Sequence, residues 1–142
     1  WNSPGVRAVY CALDPATAIL EVAVHKGFAV LDTVPHTLSC FTIRDPSTIH
    51  VVLPDTIPNE NWLSPGAHGA GQQSFGDDLL SRHPFVAVPS AVSRHSWNLI
   101  FVAANAQDAY TLAFQEPFAL DTRLNPAPAR RTPFQRARRA AD

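Results

Sequence analysis

One stretch, residues 10–27 (YCALDPATAILEVAVHKG), constrains the fold of this chain more than any other. Asp14 can accept the unpaired N–H groups of a helix's first turn, and Pro15 suits the first helical position because it has no N–H to leave bare. Ala16, Ala18, Ile19, Leu20, Val22, Ala23 and Val24 carry the helix on, and Gly27 can end it with a positive φ. An amphipathic helix over 15–26, entered from a strand, is the expectation. Glu21 and His25 are four residues apart, so they lie one above the other on the same face. A carboxylate and an imidazole among this much apolar surface are costly to bury without partners or a task. They are the first candidates for chemistry.

Other local signals predict a chain of short elements. The leading Trp1-Asn2-Ser3-Pro4-Gly5 has the residues of a tight turn, and 6–13 reads as a strand. Residues 28–34 fit either a strand or an irregular return, whereas 37–44 (TLSCFTIR) is a clearer strand stopped by Asp45-Pro46. Residues 49–53 read as extended. Prolines at 46, 54, 58 and 65 then break the chain into connecting pieces as far as Gly71, a long loop region of the kind that often serves function. A helix is expected over 72–82, weakened by Gly76, followed by strands at 85–88 and 97–102. Residues 110–114 and 118–120 read as two closing strands separated by Glu116-Pro117. Many short strands with two or three helices, and no regular βαβ alternation, predict an α+β fold.

Composition narrows the function classes. At 142 residues the chain is expected to hold one domain with a real core. No apolar run approaches the roughly 20 residues of a membrane span, so no membrane partner is expected. Cys11 and Cys40 lack metal-ligand spacing and read as buried thiols of a cytosolic protein, a disulfide being the alternative. The six histidines (25, 36, 50, 68, 83, 95) are scattered, and no metal site is predicted. The absence of methionine leads us to expect further residues upstream of Trp1. Residues 1–125 hold 6 Lys/Arg against 11 Asp/Glu, a balance of −5, and residues 126–142 hold 5 Arg against 1 Asp, a balance of +4. An acidic body argues against direct nucleic-acid binding by the domain. The Pro/Arg-rich 126–142 reads as a basic tail outside a 1–125 body, either solvated or docking on that body or on a partner.

Five motifs in order resemble the RES domain, named for an Arg, a Glu and a Ser. They are Trp1-Asn2-x-Pro4-Gly5, the strand ending Val9-Tyr10, and Leu20-Glu21-Val22-x-Val24-His25. Val88-Pro89-Ser90-Ala91-Val92 with Trp97-Asn98-Leu99, and Pro117-Phe118-x-x-Asp121-x-Arg123-Leu124, complete the set. The resemblance implies a bacterial, cytoplasmic toxin of a toxin–antitoxin module. It also implies an ADP-ribosyltransferase-like fold, with small β-sheets forming a central cleft and helices around it. Such a toxin consumes NAD+ as substrate and needs no further cofactor. It either transfers ADP-ribose to a protein target, the leading reading, or degrades NAD+ by hydrolysis or phosphorolysis. The implied partner is a cognate antitoxin with an Xre-like DNA-binding domain.

Carried over residue by residue, the family Glu falls on Glu21 and the family Ser on Ser90, while Tyr10 and His25 match a pocket tyrosine and a histidine one helical turn beyond the Glu. The family Arg would stand immediately before Trp1, and Arg7 is the nearest substitute in the visible chain. Breaking the nicotinamide–ribose bond builds positive charge on the ribose, which a carboxylate at Glu21 would stabilise. Tyr10 would stack on the nicotinamide ring. His25 would orient Glu21 or a ribose hydroxyl, and Ser90 would hydrogen-bond a ribose or phosphate oxygen. Ser90 is not read as a nucleophile, because no Gly-x-Ser-x-Gly elbow surrounds it. Asn2, Asn98, Gln73 and Ser74 are weaker candidates for substrate contact. Plain structural alternatives stand beside these: Glu21 pairing with Lys26 or His25 on a solvated face, Tyr10 as a core aromatic, Ser90 as a turn residue. A non-catalytic interaction module is the reading from outside the enzyme class.

Overall fold

The strand signals resolve into two sheets of unequal size. A computed structural model describes residues 1–64, 66 and 69–124. In it β1 (Ala8–Ala12), β3 (Ile49–Val51), β4 (Phe85–Pro89) and β5 (Trp97–Val102) form a four-stranded sheet in the order β1-β5-β4-β3. The pairs β1·β5 and β5·β4 are antiparallel, and β4·β3 is parallel. The second sheet is a ribbon of β2 (His36–Ile43) and β6 (Tyr110–Phe118), antiparallel, with a bulge between Cys40 and Phe41. Three helices accompany them: α1 (Pro15–Lys26), α2 (Phe28–Thr33) and α3 (Ala70–Arg82). The architecture is mixed α+β with small sheets. Residues 126–142, read above as a basic tail, lie outside the described residues.

Period-2 alternation assigns the faces of the larger sheet. Phe85, Ala87, Leu99 and Phe101 share one buried cluster with Val9 and Cys11, and the ribbon's Ile43 and Tyr110 pack on it. Val86, Val88 and Ile100 point the other way and pack with Leu79 and Leu80 of α3, under Trp1 and Trp62. A third, smaller cluster joins Ala23 of α1 to Leu31 of α2 and to Leu120, with Phe118 against it. Both ends of the ribbon are thus anchored, one on the sheet and one on α1.

Four readings need correction. Residues 28–33 are helical: Gly27, at φ 83°, ends α1 and turns the chain so that α2 can lay Leu31 against Ala23. Residues 110–118 form one strand, not two. Pro117 sits in the ladder opposite Thr37, which a two-stranded ribbon tolerates because each strand has a free edge where a missing N–H breaks nothing. The cysteines are free thiols, and both are half-buried, not buried. Helix α1 begins and ends where its capping residues put it, yet Leu20 and Val24 remain exposed, so its apolar surface is only partly covered.

Helix α3 starts two residues ahead of the expected 72, and the glycine within it has a long-range cause. A Cβ at Gly76 would lie 2.0 Å from the backbone oxygen of Trp1. Only a residue without a side chain lets the leading segment cross the helix this closely. At the next position Asp77 Oδ1 accepts the Ser3 N–H at 3.0 Å. The leading segment is therefore held by α3.

Candidate active site

Helix α1 is fixed at its start by a three-way cap. Asp14 Oδ1 accepts the Thr17 N–H at 2.8 Å, and Oδ2 accepts the Thr17 hydroxyl at 2.7 Å and the Ser96 hydroxyl at 2.5 Å. These bonds, that from Ser96 foremost, hold the Asp14 carboxyl below the usual carboxylate range. They also tie the helix to the loop between β4 and β5. That loop is internally braced: Ser90 N–H donates to Ser96 O, Ser96 N–H to Ser93 O, and Ser93 N–H to Ser90 Oγ.

Two turns into the helix, Glu21 meets the loop and the sheet. Its Oε1 accepts the Ser90 hydroxyl at 3.0 Å and the Asn98 amide Nδ2 at 2.5 Å. Ser90 is 0% exposed and Asn98 7%. A carboxylate can only accept, so the Asn98 amide must present its NH2 to Glu21. Its Oδ1 is left buried with no hydrogen-bond partner among the described residues. The other carboxylate oxygen, Oε2, stands 3.9 Å from His25 Nε2 and accepts no hydrogen bond among the described residues. One oxygen is anchored in the protein and the other is available. The Glu21 side chain is about a quarter exposed, and His25 is largely solvent-facing. Neither Lys26 nor a solvated face accounts for Glu21's bonding; two buried polar groups 69 and 77 residues away do.

Tyr10 lies opposite Ile100 in the β1·β5 ladder, two residues along from the Ala12–Asn98 pair and so on the same face. It is half-exposed, and its hydroxyl donates to Asn2 Oδ1. Asn2 in turn donates through Nδ2 to the carbonyls of Ser3 and Val6, both at 3.1 Å. Burial, with the Asp77 carboxylate adding to it, pushes the Tyr10 phenol above its ordinary pKa.

The polar cluster does not sit in the space between the two sheets. A cavity of about 490 Å³ does lie there, walled chiefly by apolar side chains such as Val9, Ile19, Phe41, Phe101 and Phe114. Glu21, Ser90 and Asn98 are absent from its walls. Asn98 and Leu99 are neighbours on a strand and point to opposite faces, so Leu99 lines the cavity and Asn98 turns to the face of Val88 and Ile100. Tyr10 and the α1 residues Ala18, Ile19 and Val22 do line the cavity.

A protein-family model, RES domain, matches residues 1–123. The chain belongs to the RES-domain family. No curated protein matches it. RES domains are known among NAD+-related toxins of toxin–antitoxin modules, where toxins pair with antitoxins, and the family points to NAD+-using chemistry. Glu21 and Ser90, the residues on which the resemblance places the family Glu and Ser, meet at Glu21 Oε1.

The remaining candidates divide. Arg7 is exposed just ahead of β1 and makes no ion pair among the described residues. Gln73 is half-buried and Ser74 exposed, and neither bonds to the Glu21 cluster. Their neighbour Gln72 is the buried one and accepts from Asn59 Nδ2 at 2.7 Å. Among the described residues no group of three His, Cys, Asp or Glu side chains is arranged to hold a metal ion, and no helix is long and apolar enough to cross a membrane. Ser96 and Asp77 escaped notice in the sequence. Each acts on a residue more than 70 positions away, and short polar side chains carry no local mark of such pairing.

Proposed function

We propose that this RES domain cleaves the nicotinamide–ribose bond of NAD+ and transfers the ADP-ribose to a protein side chain. It acts as the toxin of a bacterial, cytoplasmic toxin–antitoxin module. The observation that carries the reading is the divided carboxylate of Glu21, with Oε1 held by Ser90 and Asn98 and Oε2 accepting no hydrogen bond among the described residues. As the C–N bond breaks, its electron pair leaves with nicotinamide, which departs neutral, and positive charge develops at the ribose carbon. Glu21 Oε2 offsets that charge without having to reorganise, because its partner oxygen is already fixed. The acceptor then bonds to the same carbon and releases one proton. Nicotinamide, ADP-ribosyl acceptor and H+ balance NAD+ and the acceptor.

Tyr10 offers its half-exposed ring for stacking against nicotinamide. Ser90 and Asn98 position Glu21, Ser90 being too deeply enclosed to reach a substrate. His25, at 73% side-chain exposure, is free to meet a ribose hydroxyl or the acceptor. Arg7 supplies a guanidinium for the pyrophosphate, and Asn2 fixes the tyrosine. The two small sheets are compatible with an ADP-ribosyltransferase-like architecture, NAD+ serves as substrate with no added cofactor or metal, and the antitoxin carries an Xre-like DNA-binding domain.

Glu21→Gln is the test, since a carboxamide keeps the size and one acceptor oxygen for Ser90 and Asn98. NAD+ turnover is expected to fall at least about 100-fold while the fold persists. Turnover within threefold of the parent would remove Glu21 from the chemistry and favour a non-catalytic interaction module. Labelled NAD+ in lysate separates the outcomes of cleavage. Label on a protein band supports transfer, and free ADP-ribose or its phosphorylated product alone replaces transfer with hydrolysis or phosphorolysis.

A further inference from the structure

We infer that Gly76 and Asp77 of α3 are positioning residues for Tyr10, acting through the leading segment and Asn2. The inference rests on the reading of Tyr10 as part of the substrate pocket. The connection is continuous. The Trp1 carbonyl lies where a Gly76 side chain would be, and the next residue, Asp77, accepts the Ser3 N–H at 3.0 Å. Between those two anchors stands Asn2, whose Oδ1 takes the Tyr10 hydroxyl.

Asn2 cannot adapt on its own account. Both hydrogens of its amide are committed to the carbonyls of Ser3 and Val6, which fixes Oδ1 as the end facing Tyr10. The amide therefore follows the backbone of residues 1–3, and that backbone is set by α3. Without the hold on Ser3, the packing of Trp1 and Val6 would remain, with no bond from α3 to the backbone that carries Asn2. A ring stack has to be held in orientation as well as place, and one hydroxyl bond at the far end of the ring does this. Helix α3 otherwise contributes Leu79 and Leu80 to the core, with Phe75 packed against them, and makes no bond to the Glu21 cluster among the described residues. Gly76 and Asp77 give it a second task.

In the 142-residue chain carrying Tyr110→Phe, Tyr10 is the sole tyrosine, and its phenol ionisation is read by absorbance as pH rises. Adding Asp77→Ala is expected to lower the midpoint, as the enclosure and the neighbouring charge that raise it are both lost. Asp77→Asn keeps an acceptor for Ser3 and isolates the charge, so its shift should be smaller. Equal midpoints in Asp77→Ala and Asp77→Asn would assign the whole shift to charge and overturn the inference whether or not the protein turns over NAD+. In the parent background, Asp77→Ala is expected to lower kcat/KM for NAD+ about tenfold, with Asp77→Asn restoring it to within about threefold. If Glu21→Gln abolishes turnover while Asp77→Ala leaves kcat/KM unchanged, the NAD+ reading stands and this inference falls.

Discussion

Replacing Gly76 by alanine sets two well-measured effects against each other. In the interior of a helix, alanine is favoured over glycine by about 1 kcal/mol, and Gly76 lies well inside α3. Helix propensity alone therefore predicts a more stable protein. The structure predicts the reverse. The new Cβ would stand 2.0 Å from the Trp1 carbonyl oxygen and 2.9 Å from its carbonyl carbon. Those atoms are backbone, so no rotamer change relieves the contact. Trp1 packs on the Leu79–Leu80 cluster and Ser3 is bonded to Asp77, so the leading segment must shift as a unit or the helix must move. Overpacking of this kind costs about 3 kcal/mol at the upper end of its usual range. Set against the propensity gain, the net loss is about 2 kcal/mol, a fall in Tm of roughly 4–8 °C for a chain of this size. Thermal unfolding followed by far-UV circular dichroism measures it directly, with urea unfolding as the check on ΔG. A Tm equal to or above the parent's would refute the close approach of Trp1 to α3, and with it the hold on the leading segment.

Two further outcomes follow from the bonding around α1. Ser90→Ala removes a hydroxyl that both donates to Glu21 and accepts from Ser93 in a fully buried position, and should cost about 1–3 kcal/mol in urea unfolding; a loss below about 0.5 kcal/mol would mean that the loop re-forms its bonds without it. Asp14 has a folded pKa below its unfolded value, so its contribution to stability is present above about pH 4 and is lost as pH falls through the folded pKa. Asp14→Asn keeps an N-cap but cannot titrate, so its urea midpoint should drop less than the parent's between pH 5 and pH 3. Equal drops would assign the acid sensitivity elsewhere.

Much of this fold was written locally. The Asp14-Pro15 start and Gly27 stop bound α1, and short apolar runs marked β4 and β5, because caps and local hydrophobicity act within a few residues. Glu21 announced itself through the cost of burying a carboxylate, and the structure shows the partners that meet that cost. What stayed hidden depends on distant chain. Gly76 looked like a flaw in a helix until Trp1 crossed it. Pro117 looked like a strand break because nothing local says that β6 has a free edge. Residues 28–33 gave no clear period, since a six-residue helix completes fewer than two turns and is held by a single buried contact, Leu31. The turning of Asn98 away from the cavity required the β5 register, which only its partners β1 and β4 define.

The two-stranded ribbon behaves mechanically as a beam on two supports. Phe118 rests on the α1 cluster and Tyr110 on the sheet, while between them the span crosses the cavity with Phe41 and Phe114 substantially exposed. A two-stranded sheet has little stability of its own, so its order is borrowed from those abutments. A beam bends most at mid-span, and the bulge at Cys40/Phe41 lies there, where the ladder is already interrupted. The cavity between the sheets can therefore swell or narrow by bowing of the ribbon.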